Sequence, residues 1–153
     1  MRVFVTGGTG FIGRALINAL MILDYEIVAL VRDATSPAAQ ALERHGARLV
    51  EGDVTNPDSL RAGMVGCRTV VHCAAIYRFG LNRAGRRHMT EVNVGGTANV
   101  LEVARELQVP RIFYVSTALA YGQTDGKLRD ESWTRRSAPL SHYERTKTEA
   151  HAL

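Results

Sequence analysis

Between the apolar, β-branched run Arg2–Thr6 and a segment of helical period lies Thr6-Gly7-Gly8-Thr9-Gly10-Phe11-Ile12-Gly13. Gly7, Gly10 and Gly13 make a G-x-x-G-x-x-G spacing, and no other feature restricts the fold as tightly. Without Cβ atoms, the first glycine takes a tight turn and the second lets backbone N–H groups approach a pyrophosphate. The third lets the helix pack close to the strand. The helix N-terminus then offers unsatisfied donors and partial positive charge to an anion. At a strand-to-helix junction in the first β-α-β unit, this spacing predicts a dinucleotide cradle rather than a merely tight turn. Gly7, Gly10, Phe11, Ile12 and Gly13 are its candidate contacts.

Downstream, short apolar runs alternate with helical periods. Strands are expected at Arg2–Thr6, Glu26–Val31, Ala47–Val54, Thr69–Ala75 and Arg111–Thr117,. After the glycines, Ile12, Ala15, Leu16, Ala19, Leu20 and Leu23 fall on one helix face. Ser36 and Pro37 open a short helix to His45, and Asn56-Pro57 opens another through Met64. A polar, Arg-rich stretch from Tyr77 to about Arg87 precedes a long helix to Gln108, with Val92, Thr97, Val100 and Ala104 inward. A loop holding Trp133 runs from Tyr121 to Pro139, and the closing helix starts near Ser141. Near-continuous apolar strands between helices imply a parallel sheet covered on both faces. Right-handed crossovers make this an α/β, doubly wound sheet in the order 3-2-1-4-5.

Composition removes several classes. The chain has 153 residues, 46% hydrophobic and 22% charged, which is ordinary for one globular domain,. No apolar run approaches the ~18 residues of a membrane span, so a membrane partner is not expected. The net charge of +4 gathers in Arg83/Arg86/Arg87 and Arg135/Arg136 without a continuous basic stripe, which speaks against nucleic acid,. Cys67 and Cys73 suggest neither a disulfide framework nor a zinc spacing, and a reducing cytoplasm is the expected location. His72, His88, His142 and His151 make no metal-ligand set, so no metal is expected.

Two further places carry chemistry. The second strand ends at Val31, followed by Arg32 and Asp33. Arg32 suits a 2′-phosphate and favours NADP, while Asp33 keeps NAD open. In the closing segment, Tyr143 and Lys147 are four apart on one helix face. A free phenol has a pKa of about 10 and is a poor base at neutral pH. A neighbouring ammonium favours the phenolate and brings it toward the working range. Taken alone, the pair could equally be an idle surface contact.

With "TGGTGFIG" at one end and "YERTK" at the other, the sequence resembles an extended short-chain dehydrogenase/reductase, a superfamily of NAD(P)-dependent epimerases, dehydratases and dihydroflavonol-reductase-like enzymes with a Rossmann sheet. Other motifs follow in the family's order. By resemblance, Asp53 and Val54 of "GDV" contact the adenine, and Cys73, Ala74 and Ala75 of "HCAAIY" line the cofactor. Asn93 of "NVGGT" holds backbone geometry beside it. In "VSTALAYG", Thr117 falls where the family has its catalytic Ser or Thr, with Ser116 next to it. Tyr143 and Lys147 match the acid/base pair, and Lys147 would also bind the nicotinamide ribose.

The resemblance implies hydride transfer at an alcohol or ketone carbon of a small, sugar-like or related substrate. Tyr143 would act as general acid/base, Lys147 would tune and position it, and Thr117 would orient the substrate oxygen. Family members run well beyond this length, adding a sixth strand and a smaller substrate domain. Residues 1–153 are therefore expected to be an incomplete Rossmann domain, most simply a fragment of a longer enzyme. The alternatives are a half completed by self-association or a partner, and a non-catalytic NADP-binding module or redox sensor.

Overall fold

The computed structural model describes all 153 residues, arranged as five parallel strands in the order β3-β2-β1-β4-β5. They are β1 (Arg2–Thr6), β2 (Glu26–Val31), β3 (Arg48–Glu51), β4 (Thr69–His72) and β5 (Arg111–Tyr114). The sheet grows leftward from β1 to β2, then rightward to β4, so strand order reverses beside β1. In register, Thr6 faces Leu30 on one side and His72 on the other. A crevice opens where crossovers on either side of the switch diverge, above the carboxyl ends of β1 and β4.

Strand alternation distributes two cores. Phe4, Val28, Leu30 and Val70 face α3 (Pro57–Met64) and α5 (Gly96–Glu106), where Leu60, Met64, Val100 and Val103 complete one cluster. Val3, Val5, Ile27, Ala29 and Val71 point the other way, against Ile17 of α1 (Phe11–Ile22) and Leu42 of α2 (Pro37–Arg44),. The inward positions expected at Val92, Thr97, Val100 and Ala104 are all buried. Capping follows local chemistry: Ser36, Asn56, Asn82 and Ser141 each accept a backbone N–H of the first turn of α2, α3, α4 (Arg83–Thr90) and α6 (His142–His151),.

Three expectations need correction. In α1 the buried stripe runs through Gly13 and Ile17, with Leu16, Leu20 and Met21 partly covered, while Ile12, Ala15, Ala19 and Leu23 are exposed. Gly13 sets this rotation, because a Cβ there would stand 2.2 Å from the Gly7 carbonyl oxygen. Strands β3, β4 and β5 are also shorter than their apolar runs. The ladder continues past β4 only to Cys73, whose N–H reaches the Thr6 carbonyl at 3.1 Å, and then the backbone turns to line the crevice. Finally, the long helical segment expected up to Gln108 begins earlier, within the Arg-rich stretch, and carries a π-helical turn at Glu91–Gly95 between α4 and α5. Such turns re-aim side chains and gather at functional sites.

Candidate cofactor cleft and active site

The crevice is a cleft of about 220 Å³ bordered by the glycine turn, the ends of β2 and β4, and the turns after β3 and β4. Gly7, Gly10, Arg32, Asp53, Val54, Cys73, Ala74 and Ala75 all line it, as the sequence reading expected. Gly7 adopts φ +70°, and a Cβ there would lie 2.6 Å from the Ala74 nitrogen. Only glycine lets β1 and the post-β4 turn approach this closely. At the start of α1, no side chain caps the first turn and no acidic residue occupies it, so its donors stay free for an anion,. These features fit the pyrophosphate of a dinucleotide. Phe11 and Ile12 do not line the cleft and are exposed, and Gly13 acts through packing.

Arg32 and Asp33 part ways. Arg32 borders the cleft, whereas Asp33 turns back on its own loop, accepting the Thr35 N–H at 2.8 Å and its hydroxyl at 2.6 Å. Those bonds hold the Asp33 carboxyl below its usual range,. Asp53, which also borders the cleft, accepts the Thr55 N–H at 2.8 Å and the Thr55 hydroxyl at 2.7 Å.

Under the cleft runs a buried polar chain that the sequence did not disclose. The Thr6 hydroxyl lies 2.6 Å from His72 Nδ1, and His72 Nε2 lies 3.0 Å from the Thr97 hydroxyl. Thr97 donates onward to the Asn93 carbonyl at 2.7 Å. This order requires the proton on Nε2, an assignment made from the network. Burial, reinforced by the charge of Lys147, pushes the His72 pKa down to about 4, so the ring is neutral. Asn93, held inward by the π turn, clamps the post-β4 turn: its side chain accepts the Ile76 N–H at 2.7 Å and donates to the Ile76 carbonyl at 3.0 Å. It also donates to Thr146 at 3.0 Å, and Thr146 donates to the Tyr143 carbonyl at 2.8 Å. The chain thus links β1 to the helix that carries Tyr143.

Tyr143 is half-buried and meets Tyr77 edge to face, with centroids 4.6 Å apart. Thr117 caps the short 3₁₀ turn Ala118–Tyr121 and lies close enough to the phenol to lower its pKa by hydrogen bonding. Burial outweighs that effect and the Tyr77 phenol reinforces the burial, so the Tyr143 phenol is held above its ordinary range. The Lys147 ammonium is directed away from the phenol that the sequence expects it to tune. Almost fully buried, it donates to the Val115 carbonyl at 2.9 Å and sits 4.2 Å above the Tyr114 ring. Burial brings its pKa down to about 8, and Lys147 is not among the groups that set the Tyr143 pKa. Its tether fixes the backbone just before Ser116 and Thr117.

Helix α6 is held from outside as well. Arg135 and Glu144 form an ion pair whose side chains are almost fully buried. Arg135 also donates to the Leu119 carbonyl at 2.7 Å and the Ala138 carbonyl at 2.9 Å, pinning the late loop to the helix. Trp133 anchors that loop, donating to the Tyr121 carbonyl at 3.1 Å, and the guanidinium groups of Arg129 and Arg136 stand over its ring.

A glycine cradle at the topological switch point of a parallel sheet defines an α/β domain of the dinucleotide-binding type,. Residues 3–153 match the NAD dependent epimerase/dehydratase family, and the chain belongs to that family. It is 36% identical over its whole length to the 4-hydroxy-2-methyl-3-oxo-4-farnesyl-3,4-dihydroquinoline-1-oxide ketoreductase of Stigmatella aurantiaca, covering 45% of that protein. It is 33% identical to a 3 beta-hydroxysteroid dehydrogenase/Delta 5→4-isomerase of Mycobacterium tuberculosis, covering 76% of this chain and 31% of the relative. Among solved structures, the dTDP-glucose 4,6-dehydratase DesIV of Streptomyces venezuelae, with NAD bound, superposes at TM-score 0.83 and 30% identity, over 99% of this chain and 50% of its own. The chain therefore spans less than half the length of these curated relatives, and half of that structure. No helix is long and apolar enough to cross a membrane.

Proposed function

We propose that this chain carries the cofactor site and proton relay of an NADP-dependent carbonyl reductase. The observation that carries the reading is continuity. The cleft wall runs through Ala74, Ala75 and Ile76, and the next residue, Tyr77, touches the Tyr143 ring. Arg32 in the cleft wall, with the Asp33 carboxylate engaged by Thr35, supports NADP over NAD,.

The glycine turn and α1 would hold the pyrophosphate, Asp53 and Val54 the adenine, and Lys147 the nicotinamide ribose. The cofactor supplies the hydride. Tyr143 supplies the proton: with its pKa raised, it is the protonated acid at neutral pH and gives up its phenolic hydrogen as the carbonyl oxygen gains charge,. Thr117 donates a second hydrogen bond to that oxygen. The relative named a ketoreductase supports reductase rather than epimerase or dehydratase chemistry. The free thiols Cys67 and Cys73 suit a reducing cytoplasm, which cell fractionation would check,.

Titration with NADPH, NADH, NADP⁺ and NAD⁺, followed by NADPH consumption against a ketone panel, tests the reading. It expects NADPH to bind most tightly and ketones to be reduced. Binding without turnover would leave a cofactor-binding module, and no binding would refute the cleft assignment.

A further inference from the structure

Three rings stand in series beyond the cofactor cleft. Tyr77 meets Tyr143 at 4.6 Å and 77°, and Phe79 meets Tyr77 at 5.1 Å and 79°. Tyr77 and Phe79 are 65% and 61% exposed, an apolar wall in water that starts at the proton donor,. Alongside lies a hollow of about 250 Å³ bordered by Arg78, Phe79, Leu81, Arg86, His142 and Tyr143. A second hollow, of about 400 Å³, shares Arg86 and His142 and adds Arg145. His142 fixes this wall: its Nε2 lies 3.0 Å from the Thr90 hydroxyl and 2.8 Å from the Arg86 carbonyl, joining α6 to α4.

Arg78, Arg86 and Arg145 border these hollows together, and none of them forms an ion pair with a carboxylate. An apolar wall and a cationic rim, both reached from one phenol, select a ligand with two matching parts.

We propose that this surface is the substrate subsite, and that it takes a planar aromatic or polycyclic ketone bearing an anionic group, carboxylate or phosphate. The ring system lies against Phe79 and Tyr77 with its carbonyl toward Tyr143. The anion is met by the guanidinium of Arg86, which borders both hollows, with Arg145 behind it. The proposal rests on the reductase reading above, which it narrows to a substrate class.

Calorimetric titration of 2-naphthoate, uncharged 2-naphthamide and cyclohexanecarboxylate into the NADP⁺-saturated protein separates the two parts. The naphthoate should bind about tenfold more tightly than either of the others, one ratio reading the ring and the other the charge. Phe79→Ala should erase the preference over cyclohexanecarboxylate, and Arg86→Gln the preference over the amide, each leaving the other ratio in place. Both side chains are exposed, and unchanged melting temperatures would confirm that the variants fold. Equal affinities for all three probes, or ratios unmoved by the substitutions, would overturn the proposal. NADP⁺ affinity measured on the same samples keeps the readings apart: intact cofactor binding without a naphthoate preference refutes the subsite alone.

Discussion

Replacing His72 by Gln should remove a specific pH dependence from the stability of the fold. The His72 pKa falls from 6.5 to about 4, chiefly by burial and secondarily by the charge of Lys147. A folded-state pKa below the unfolded one means the unfolded chain binds more protons in between. Stability is therefore complete above pH 6.5 and declines as pH falls toward the folded value,. The interval from 6.5 to about 4, at about 1.4 kcal/mol per pH unit, corresponds to about 3 kcal/mol,. That is a large part of the stability of a domain this size. Urea unfolding, followed by circular dichroism at several pH values from about 7.5 to 4.5, measures it. Carboxylates such as Asp33 and Glu144, held low by their partners, also titrate at the acid end, so the quantity to read is the difference between wild type and His72→Gln. The variant is less stable at neutral pH because Thr6 and Thr97 lose their shared partner. The gap should shrink by about 2–3 kcal/mol by the acid end of that range. A gap constant with pH would mean that His72 titrates in the fold as it does in the unfolded chain, and the Thr6–His72–Thr97 chain would have to be redrawn.

Tyr143→Phe keeps the ring against Tyr77 and removes only the proton donor. Steady-state kinetics should show turnover reduced about a hundredfold or more with NADPH affinity nearly unchanged; near-wild-type turnover would refute the acid assignment. Arg32→Ala should weaken NADPH binding about tenfold or more while leaving NADH affinity within a factor of about two, read by nucleotide fluorescence titration. Equal losses for both nucleotides would show that Arg32 does not read the 2′-phosphate. Gly13→Ala places a methyl 2.2 Å from the Gly7 carbonyl oxygen, so the glycine turn must open. Loss of nucleotide binding with a lowered melting temperature is expected, and wild-type binding would show that the turn is not the cradle.

Much of this molecule could be read from its sequence because the signals are local. Strand order follows from alternation and crossover handedness, and the caps at Ser36, Asn56 and Ser141 follow from side chains acting within one turn. The cleft wall was legible too, since glycine spacing and the ends of strands are properties of short segments. What escaped depends on contacts between distant segments. His72 closes an apolar run, but only the pairing of β1 with β4 sets it opposite Thr6. The π turn arises because Asn93 satisfies both backbone groups of Ile76, seventeen residues earlier. A polar i, i+4 pair, Asn93 and Thr97, on the otherwise apolar buried face of the helical segment was the available hint. Lys147 was placed on the right helix face, yet its partner, Val115, lies across the fold and redirects the ammonium from the phenol to a backbone carbonyl. The α1 face was mistaken by one position because hydrophobic period counts side chains, whereas the packing is set by a residue that has none.

The central claim is that the phenol of Tyr143 stands at the nicotinamide end of a dinucleotide laid across the carboxyl edge of the sheet. Intermolecular NOEs between NADP⁺ and protein labelled at tyrosine and threonine measure this directly. The account predicts contacts from nicotinamide ring protons to the Tyr143 ring and the Thr117 methyl, with adenine protons near Val54. Nicotinamide contacts confined to Val54 and the β2 end, with Tyr143 silent, would contradict it.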